Sequence, residues 1–267
     1  MSGRYYPSPH PPPPRGPRGE GESTPLSAPG RGRASGTLIG VGVGPGDPEL
    51  ITLKGAEAIR SADVIFAPTR RAGQTSDALR IAEWLVDAAR QQVVCIPFPD
   101  EANDDGWRQA CDAIAAALDG GQRGVFLVEG DPSLYSSFGH VAKALAGLAP
   151  WLRVEVVAGV SSLSAAAAAA GMGLADGGER VAILPANHSL DALEETLRAF
   201  ESVVLIKVGP VLREVIEQLD RLGLVDKAIY VRRCGRPDQQ VLHDLRSLAS
   251  KPPRDYFALI IVRRSGA

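Results

Sequence analysis

Between Thr37 and Gly159 the chain repeats one pattern, a short apolar run followed by a longer amphipathic stretch. The runs are "TLIGVGV", "DVIFAP", "VVCIPF", "GVFLVE" and "VEVVAG", and helical patterns fall between them at about 48–61, 76–90, 103–119 and 133–147. A strand that is apolar throughout needs cover on both faces, and helices between strands supply it. The pattern therefore predicts a parallel α/β sheet. After Gly159, "VSSLSAAAAAAGMG" predicts a small-residue helix closed by glycines. Five more strands follow: "RVAILPA", "SVVLIKVG", "KAIYVRR", "QQVLHDL" and "DYFALIIVRR". The helical patterns "SLDALEETLRAF" and "PVLREVIEQLDRLG" separate the first three, but little helix separates the last three, so this second sheet is expected to be mixed. The expected organisation is an N-terminal α/β domain over 36–158 and a C-terminal α/β domain over 159–267.

Residues 1–35 are different. They are mostly Pro, Gly, Ser and Arg, and cannot bury enough surface to offset their ordering entropy. A disordered tail is expected. It lacks the apolar core of a signal peptide, and no stretch of the chain approaches the roughly 20 apolar residues that span a membrane. The formal net charge of -2 gives no global case for nucleic-acid binding. Cys95, Cys111 and Cys234 are scattered, with no CxxC or Cys/His cluster. No metal site is expected, and the sparse, odd count suits a reducing cytoplasm.

Two strand ends carry the same tripeptide, in "GDPEL" at 46–50 and "GDPSL" at 130–134. In each, Asp can cap a helix by accepting from an orphan N–H, and Pro suits the first helical position. A dinucleotide fingerprint needs G-x-G-x-x-G. Gly42-Val43-Gly44-Pro45-Gly46 brings its third glycine one residue early, and Pro45 removes an N–H that a pyrophosphate would use. No G-K-[ST] follows, which removes the P-loop as well. A third strand end adds Gly159 and the pair Ser161-Ser162. Three turns built from Gly, Pro, Asp and Ser thus gather at the carboxyl edge of a sheet, where open α/β folds bind ligands.

These elements, in this order, resemble the tetrapyrrole (corrin/porphyrin) methylase family, which uses S-adenosylmethionine. "GVGVGPGDPELITLKGAEAIRSADVIFAP", "LVEGDPSLYSSF" and "VEVVAGVSSLSAAAA" are similar to its first three signatures. "VVLIKVG", "IYVRRCGRPDQQV" and "YFALIIVRR" are similar to its C-terminal elements, and the resemblance covers about residues 36–264. Within the family the branch that methylates precorrin-2 at C20 is the most similar, through "GDPSLYSSF" with His140, "VAILPA" and Lys207. Branches acting at another ring position or on a later corrin intermediate share the same signatures.

The resemblance implies two α/β domains with the active site in the cleft between them, and a homodimer. It implies donor contacts from Pro45, Gly130, Asp131, Pro132, Ser161 and Ser162, from Lys207 through its backbone, and from Cys234 and Ala258 beside the adenosine. The first turn, at Gly46 and Asp47, would face the tetrapyrrole, and the second would belong to the donor pocket. Methyl transfer from a sulfonium is an in-line displacement of an activated group, so alignment rather than a metal is what the protein must supply. Asp47 and Tyr135 are candidates for proton transfer, weighed against a helix cap and core packing respectively. A rim of substrate carboxylates would meet arginine forks. Arg70 and Arg71 in "PTRRAGQTSD" and Arg232, Arg233 and Arg236 in "VRRCGRPD" are candidates, weighed against ordinary loop charge. His140 reads as a packing or surface histidine.

Overall fold

The structure is a computed structural model that describes residues 35–71, 73–97, 104–188, 190–250, 253 and 255–264. The expected N-terminal tail lies outside these residues apart from Ser35. Five strands form the first sheet: β1 (Thr37–Gly42), β2 (Val64–Thr69), β3 (Gln92–Pro97), β4 (Arg123–Val128) and β5 (Arg153–Val157). Their order is β3-β2-β4-β1-β5, and every pairing is parallel. Helices α1 (Leu53–Arg60), α2 (Asp77–Ala82), α3 (Asp104–Ala117) and α4 (Phe138–Leu148) connect them.

The apolar strands are covered on both faces, as their composition requires. One face packs Ile39, Val41, Ile65 and Leu127 against Ile59 and Ile81. The other packs Leu38, Phe66 and Phe126 against Ile114, Phe138 and Leu145. Each such side chain contributes about 1.5–3 kcal/mol on burial.

The second sheet contains β6 (Val181–Pro185), β7 (Ser202–Ile206), β8 (Ala228–Arg232), β9 (Gln240–Leu242) and β10 (Ala258–Arg263). It is mixed, in the order β6-β7-β10-β8-β9, with only β6–β7 parallel. The apolar C-terminal strand β10 lies between β7 and β8, so its apolar side chains serve the core of this sheet. Helix α5 (Ser162–Ala169) leads from β5 to this sheet. Its Leu163, Ala165, Ala166 and Ala167 pack on Val204, Val231, Leu259 and Ile261. Alanines let this helix lie close to the strands. Leu50 and Leu134, from the turns after β1 and β4, pack against the same cluster and join the two sheets. Helices α6 (Leu193–Ala199), α7 (Leu212–Arg221) and α8 (Arg246–Ala249) lie between the strands of this sheet in the chain.

Two helix starts differ from the sequence expectation. The turn after β1 forms a 3-10 turn, Pro48–Leu50, capped by Asp47 Oδ1 accepting from the Glu49 N–H at 2.9 Å, and Thr52 then caps α1. The stretch expected to be helical from 133 becomes helical only at Phe138. Tyr135 has a φ of 49°, a left-handed value that no α-helix includes, and this holds the chain out of the helix for one more turn.

The strand ends of β4, β1 and β5 are neighbours, and glycine lets their turns touch. The Gly44 N–H donates to the Gly130 carbonyl at 3.3 Å, and the Gly130 N–H donates to the Gly44 carbonyl at 2.8 Å. A Cβ on Gly159 would stand 2.3 Å from the Gly130 carbonyl oxygen and 2.7 Å from the Gly42 Cα. Both neighbours are backbone, so relief requires the turns to separate. Gly159→Ala is therefore expected to destabilise the protein by at least the overpacking cost of about 1–3 kcal/mol. Equilibrium urea unfolding checks this, and an unchanged midpoint would contradict it.

Candidate functional site

A cavity of about 940 Å³ opens above these turns, lined by residues of both sheets. It lies near the top of the ~300–1,000 Å³ range typical of small-molecule sites. Its floor is the carboxyl edge of the first sheet. The end of β2 supplies Thr69, Arg70 and Arg71, the end of β4 supplies Glu129 and Gly130, and the turn after β1 supplies Pro45. Ser162 and Leu163 enter from the start of α5. The opposite wall comes from the second sheet: Ile206 and Lys207 after β7, Val231 and Cys234 around the end of β8, and Ala258 and Leu259 at the start of β10. Cys234 is buried, and burial pushes its thiol up.

Six of the nine expected donor residues thus share this cavity: Pro45, Gly130, Ser162, Lys207, Cys234 and Ala258. Asp131 and Ser161 instead line a smaller cavity of about 420 Å³ together with Ser133, Gly159 and Ser164, and Leu134 borders both spaces. Pro132 lies outside the lining of either. Lys207 has a φ of 57°, and Tyr135 and Arg233 are left-handed as well. Left-handed backbone is uncommon in non-glycine residues and marks positions worth functional scrutiny. Here all three stand at turns beside the cleft.

Asp131 is occupied within the protein. Its Oδ1 accepts from the Ser133 N–H at 2.8 Å and from the Ser133 hydroxyl, and its Oδ2 accepts from the Gly159 N–H at 2.9 Å. The carboxylate ties the turn after β4 to the turn after β5. Burial raises its pKa, but the three hydrogen bonds outweigh this and hold the group below its ordinary value.

Tyr135 is not a core residue. Its side chain is 51 % exposed, it lines the large cavity, and its hydroxyl donates to the Ile183 carbonyl on β6 at 3.3 Å. Gly46 and Asp47 do not line the cavity. They pack against the turn after β8: a Cβ on Gly46 would lie 2.6 Å from the Cys234 carbonyl oxygen, and one on Gly235 would lie 2.7 Å from the Asp47 N.

The arginine candidates separate. Arg71 lines the cavity without an ion-pair partner among the described residues. Arg70 also lines it, with its guanidinium 4.0 Å from the Tyr256 ring centroid and 5.0 Å from that of Phe257. Arg233 is paired with Asp255 at 2.6 Å and also with Asp238, and Arg232 lies 3.9 Å from Asp255. Arg236 lies outside the cavity lining, 3.0 Å from Asp77 and 3.7 Å from Glu129, with its guanidinium 3.9 Å from the Phe257 ring centroid.

Sequence reasoning missed four lining groups. Glu129 is one: burial and the negative charge of Asp77 push its carboxyl up to about 7, against the pull of Arg236, Arg70 and Arg80. Its signal was legible, since it is an acidic residue continuing a buried apolar strand directly into the turn. Asp77, the Trp107–His140 stack at 5.3 Å and the Tyr256-Phe257 pair had no such signal. His140 accordingly lies on the cavity wall.

The Asp131 knot makes a prediction. Asp131→Asn sets an NH₂ against a donor, either the Gly159 N–H or a donor on Ser133, and should cost about 1–3 kcal/mol near neutrality. A carboxyl with a depressed folded pKa stabilises above its unfolded value, about 3.9, and loses that contribution as pH falls through the folded value. The parent's advantage over the variant should therefore shrink in acid. Urea unfolding of both proteins at neutral pH and at about pH 3 measures it, and a difference independent of pH would contradict the assignment.

The comparisons with known proteins agree with this architecture. The family described as Tetrapyrrole (Corrin/Porphyrin) Methylases matches residues 37–249. The chain is similar to a precorrin-2 C(20)-methyltransferase of Sinorhizobium sp, 32% identical over 238 residues that cover 84% of this chain and 94% of the relative. It is 29% identical over 225 residues to a cobalt-precorrin-2 C(20)-methyltransferase of Salmonella typhimurium, covering 83% of this chain and 93% of that one. Among solved structures it is similar to uroporphyrin-III C-methyl transferase from Thermus thermophilus complexed with S-adenyl homocysteine. The TM-score is 0.60 and the identity 25%, over 85% of this chain and 97% of that one. From its family match, its full-length relatives and its two-sheet fold, the chain belongs to the tetrapyrrole (corrin/porphyrin) methylase family.

Proposed function

We propose that this chain transfers the methyl group of S-adenosylmethionine to C20 of precorrin-2, in its metal-free or cobalt-loaded form, as a step of cobalamin biosynthesis. The observation that carries the reading is the composition of the large cavity. The glycine-built turns share the floor with Arg70 and Arg71, and a largely apolar wall from the second sheet faces them. The near full-length similarity to precorrin-2 and cobalt-precorrin-2 C(20)-methyltransferases supports the choice of ring position.

The residues present fit the donor. Leu163, Val231, Cys234, Ala258 and Leu259 offer an apolar surface suited to an adenine face. Pro45, Gly130 and Ser162 bring backbone and small side chains to the same space, so a ligand can approach the sheet edge closely. The donor supplies an activated methyl group. The chain's task is to hold that methyl in line with the acceptor carbon and to exclude competing water. Arg71, and Arg70 on its aromatic bed, would take substrate carboxylates by charge-assisted hydrogen bonds. Arg232 and Arg233 are set aside for this role because Asp255 and Asp238 already engage them.

The reading extends to a cytosolic homodimer. Unpaired Cys95, Cys111 and Cys234 favour a reducing compartment. Exposed Leu53 and Trp84 offer apolar surface to a partner subunit. Light scattering that finds a monomer at working concentration would remove the dimer.

Two measurements test the function. Incubation with S-adenosylmethionine and either form of precorrin-2 should yield a product carrying one added methyl, located at C20 by NMR. A methyl at another carbon would move the chain to another branch of the family. Arg71→Ala should raise the tetrapyrrole KM by about tenfold, the worth of one charge-assisted hydrogen bond of about 1.5 kcal/mol. S-Adenosylmethionine affinity should hardly change, and the KM effect should shrink with added salt. Equal KM values at low salt would show that the carboxylates are held elsewhere.

A further inference from the structure

Replacing hydrogen by methyl on an unsaturated ring carbon is incomplete when the methyl arrives. Ring π electrons form the new C–C bond, and the S–CH₃ bond breaks with its electron pair passing to sulfur. The cationic ring must then lose the C–H proton, whose bonding pair returns to the π system. The site therefore needs a proton acceptor that reaches the cavity, and neither residue first considered for it is well placed. Asp47 is turned into a cap outside the cavity lining, and the Tyr135 hydroxyl is engaged as a donor to Ile183.

We propose that Glu129 is the catalytic residue that accepts the proton released from the methylated carbon. The inference rests on the methyl-transfer reading above. Glu129 directly follows β4 and directly precedes Gly130, so its carboxyl stands on the cavity floor at the centre of the converging strand ends. It is not consumed by a tight ion pair: Arg236 lies 3.7 Å from it but gives its closer contact, 3.0 Å, to Asp77. At the end of the neighbouring strand β2, Thr69 is 5 % exposed, lines the same cavity and has a hydroxyl without a hydrogen-bond partner among the described residues. That orphan hydroxyl is a second sign that a polar ligand occupies this part of the floor.

The charged groups around Glu129 are Asp77 and Arg80 on α2, Arg70 after β2 and Arg236 after β8. Lys207, His140, Tyr135 and Cys234 stand elsewhere on the cavity lining. Burial and Asp77 hold the Glu129 carboxyl near 7, where a general base works best at neutral pH. Asp77 acts here as a positioning residue. It shares Arg236 with Glu129, taking the shorter contact, and adds a negative charge that keeps the carboxyl basic.

Glu129→Gln keeps the shape and removes the basicity. It should bind S-adenosylhomocysteine as the parent does, while kcat falls by about 10²–10⁴-fold, and deuterium at C20 should then produce a primary isotope effect. In the parent, ¹³C-labelled glutamate should show one carboxyl titrating near neutrality, absent from Glu129→Gln. Asp77→Asn removes the neighbouring charge and frees Arg236, so that titration and the acid limb of kcat should both move to lower pH. Parent-level kcat in Glu129→Gln, or no glutamate titrating near neutrality, would overturn the assignment. If Glu129→Gln fails to bind S-adenosylhomocysteine, Asp77→Asn decides, and an unmoved acid limb overturns it. A parent inert toward both forms of precorrin-2 would fail the methyl-transfer reading itself and this assignment with it, a failure visible before any variant is made.

Discussion

The reciprocal hydrogen bonds between Gly44 and Gly130 bring the turns after β1 and β4 into direct contact, and most of the site follows from that contact. Both glycines hold left-handed backbone, with φ of 77° and 70°, which a side chain would strain. Gly159 completes the junction, because a Cβ there would meet both Gly130 and Gly42. The Asp131 carboxylate then secures the third turn to the second through the Gly159 N–H. Close backbone approach leaves room above the sheet edge, and the cavity occupies that room.

This junction also explains why the tripeptide Gly-Asp-Pro occurs twice. The two copies do different work. Asp47 caps a short turn packed against Cys234 and Gly235, so the first copy joins the sheets. Asp131 ties two turns of the first sheet together and leaves Gly130 facing the cavity. A second connection between the sheets runs through Arg236, which follows β8 but pairs with Asp77 on α2. Phe257 lies close to both Arg236 and Arg70. Charge, aromatic packing and the cavity floor are therefore coupled, and a change at Asp77 is felt at Glu129 through Coulomb interaction and through the freedom of Arg236.

All ten strands among the described residues were legible because an apolar run bounded by turn residues leaves few other options for a chain of this composition. The parallel first sheet and mixed second sheet followed from where helical patterns do and do not intervene. The start of α4 was not legible, since the left-handed backbone at Tyr135 is imposed by its surroundings and "LYSSF" carries no breaker that announces it. The cavity lining was partly legible. Pro45, Gly130 and Ser162 stand at strand ends, which periodicity locates. Arg232, Arg233 and Arg236 share a local charge pattern with Arg70 and Arg71, yet their partners, Asp255, Asp238 and Asp77, are set by the tertiary fold. No spacing rule could have told a paired arginine from an available one. Asp77 and Phe257 joined the site in the same way, from distant parts of the sequence.

The most direct test is a crystal structure of the protein with S-adenosylhomocysteine bound. The account predicts the ligand in the larger cavity, with its sulfur near Gly130 and the Glu129 carboxyl and its adenine against Cys234 and Ala258. A ligand seated instead in the smaller space beside Asp131 and Ser161, or outside the cleft, would contradict it.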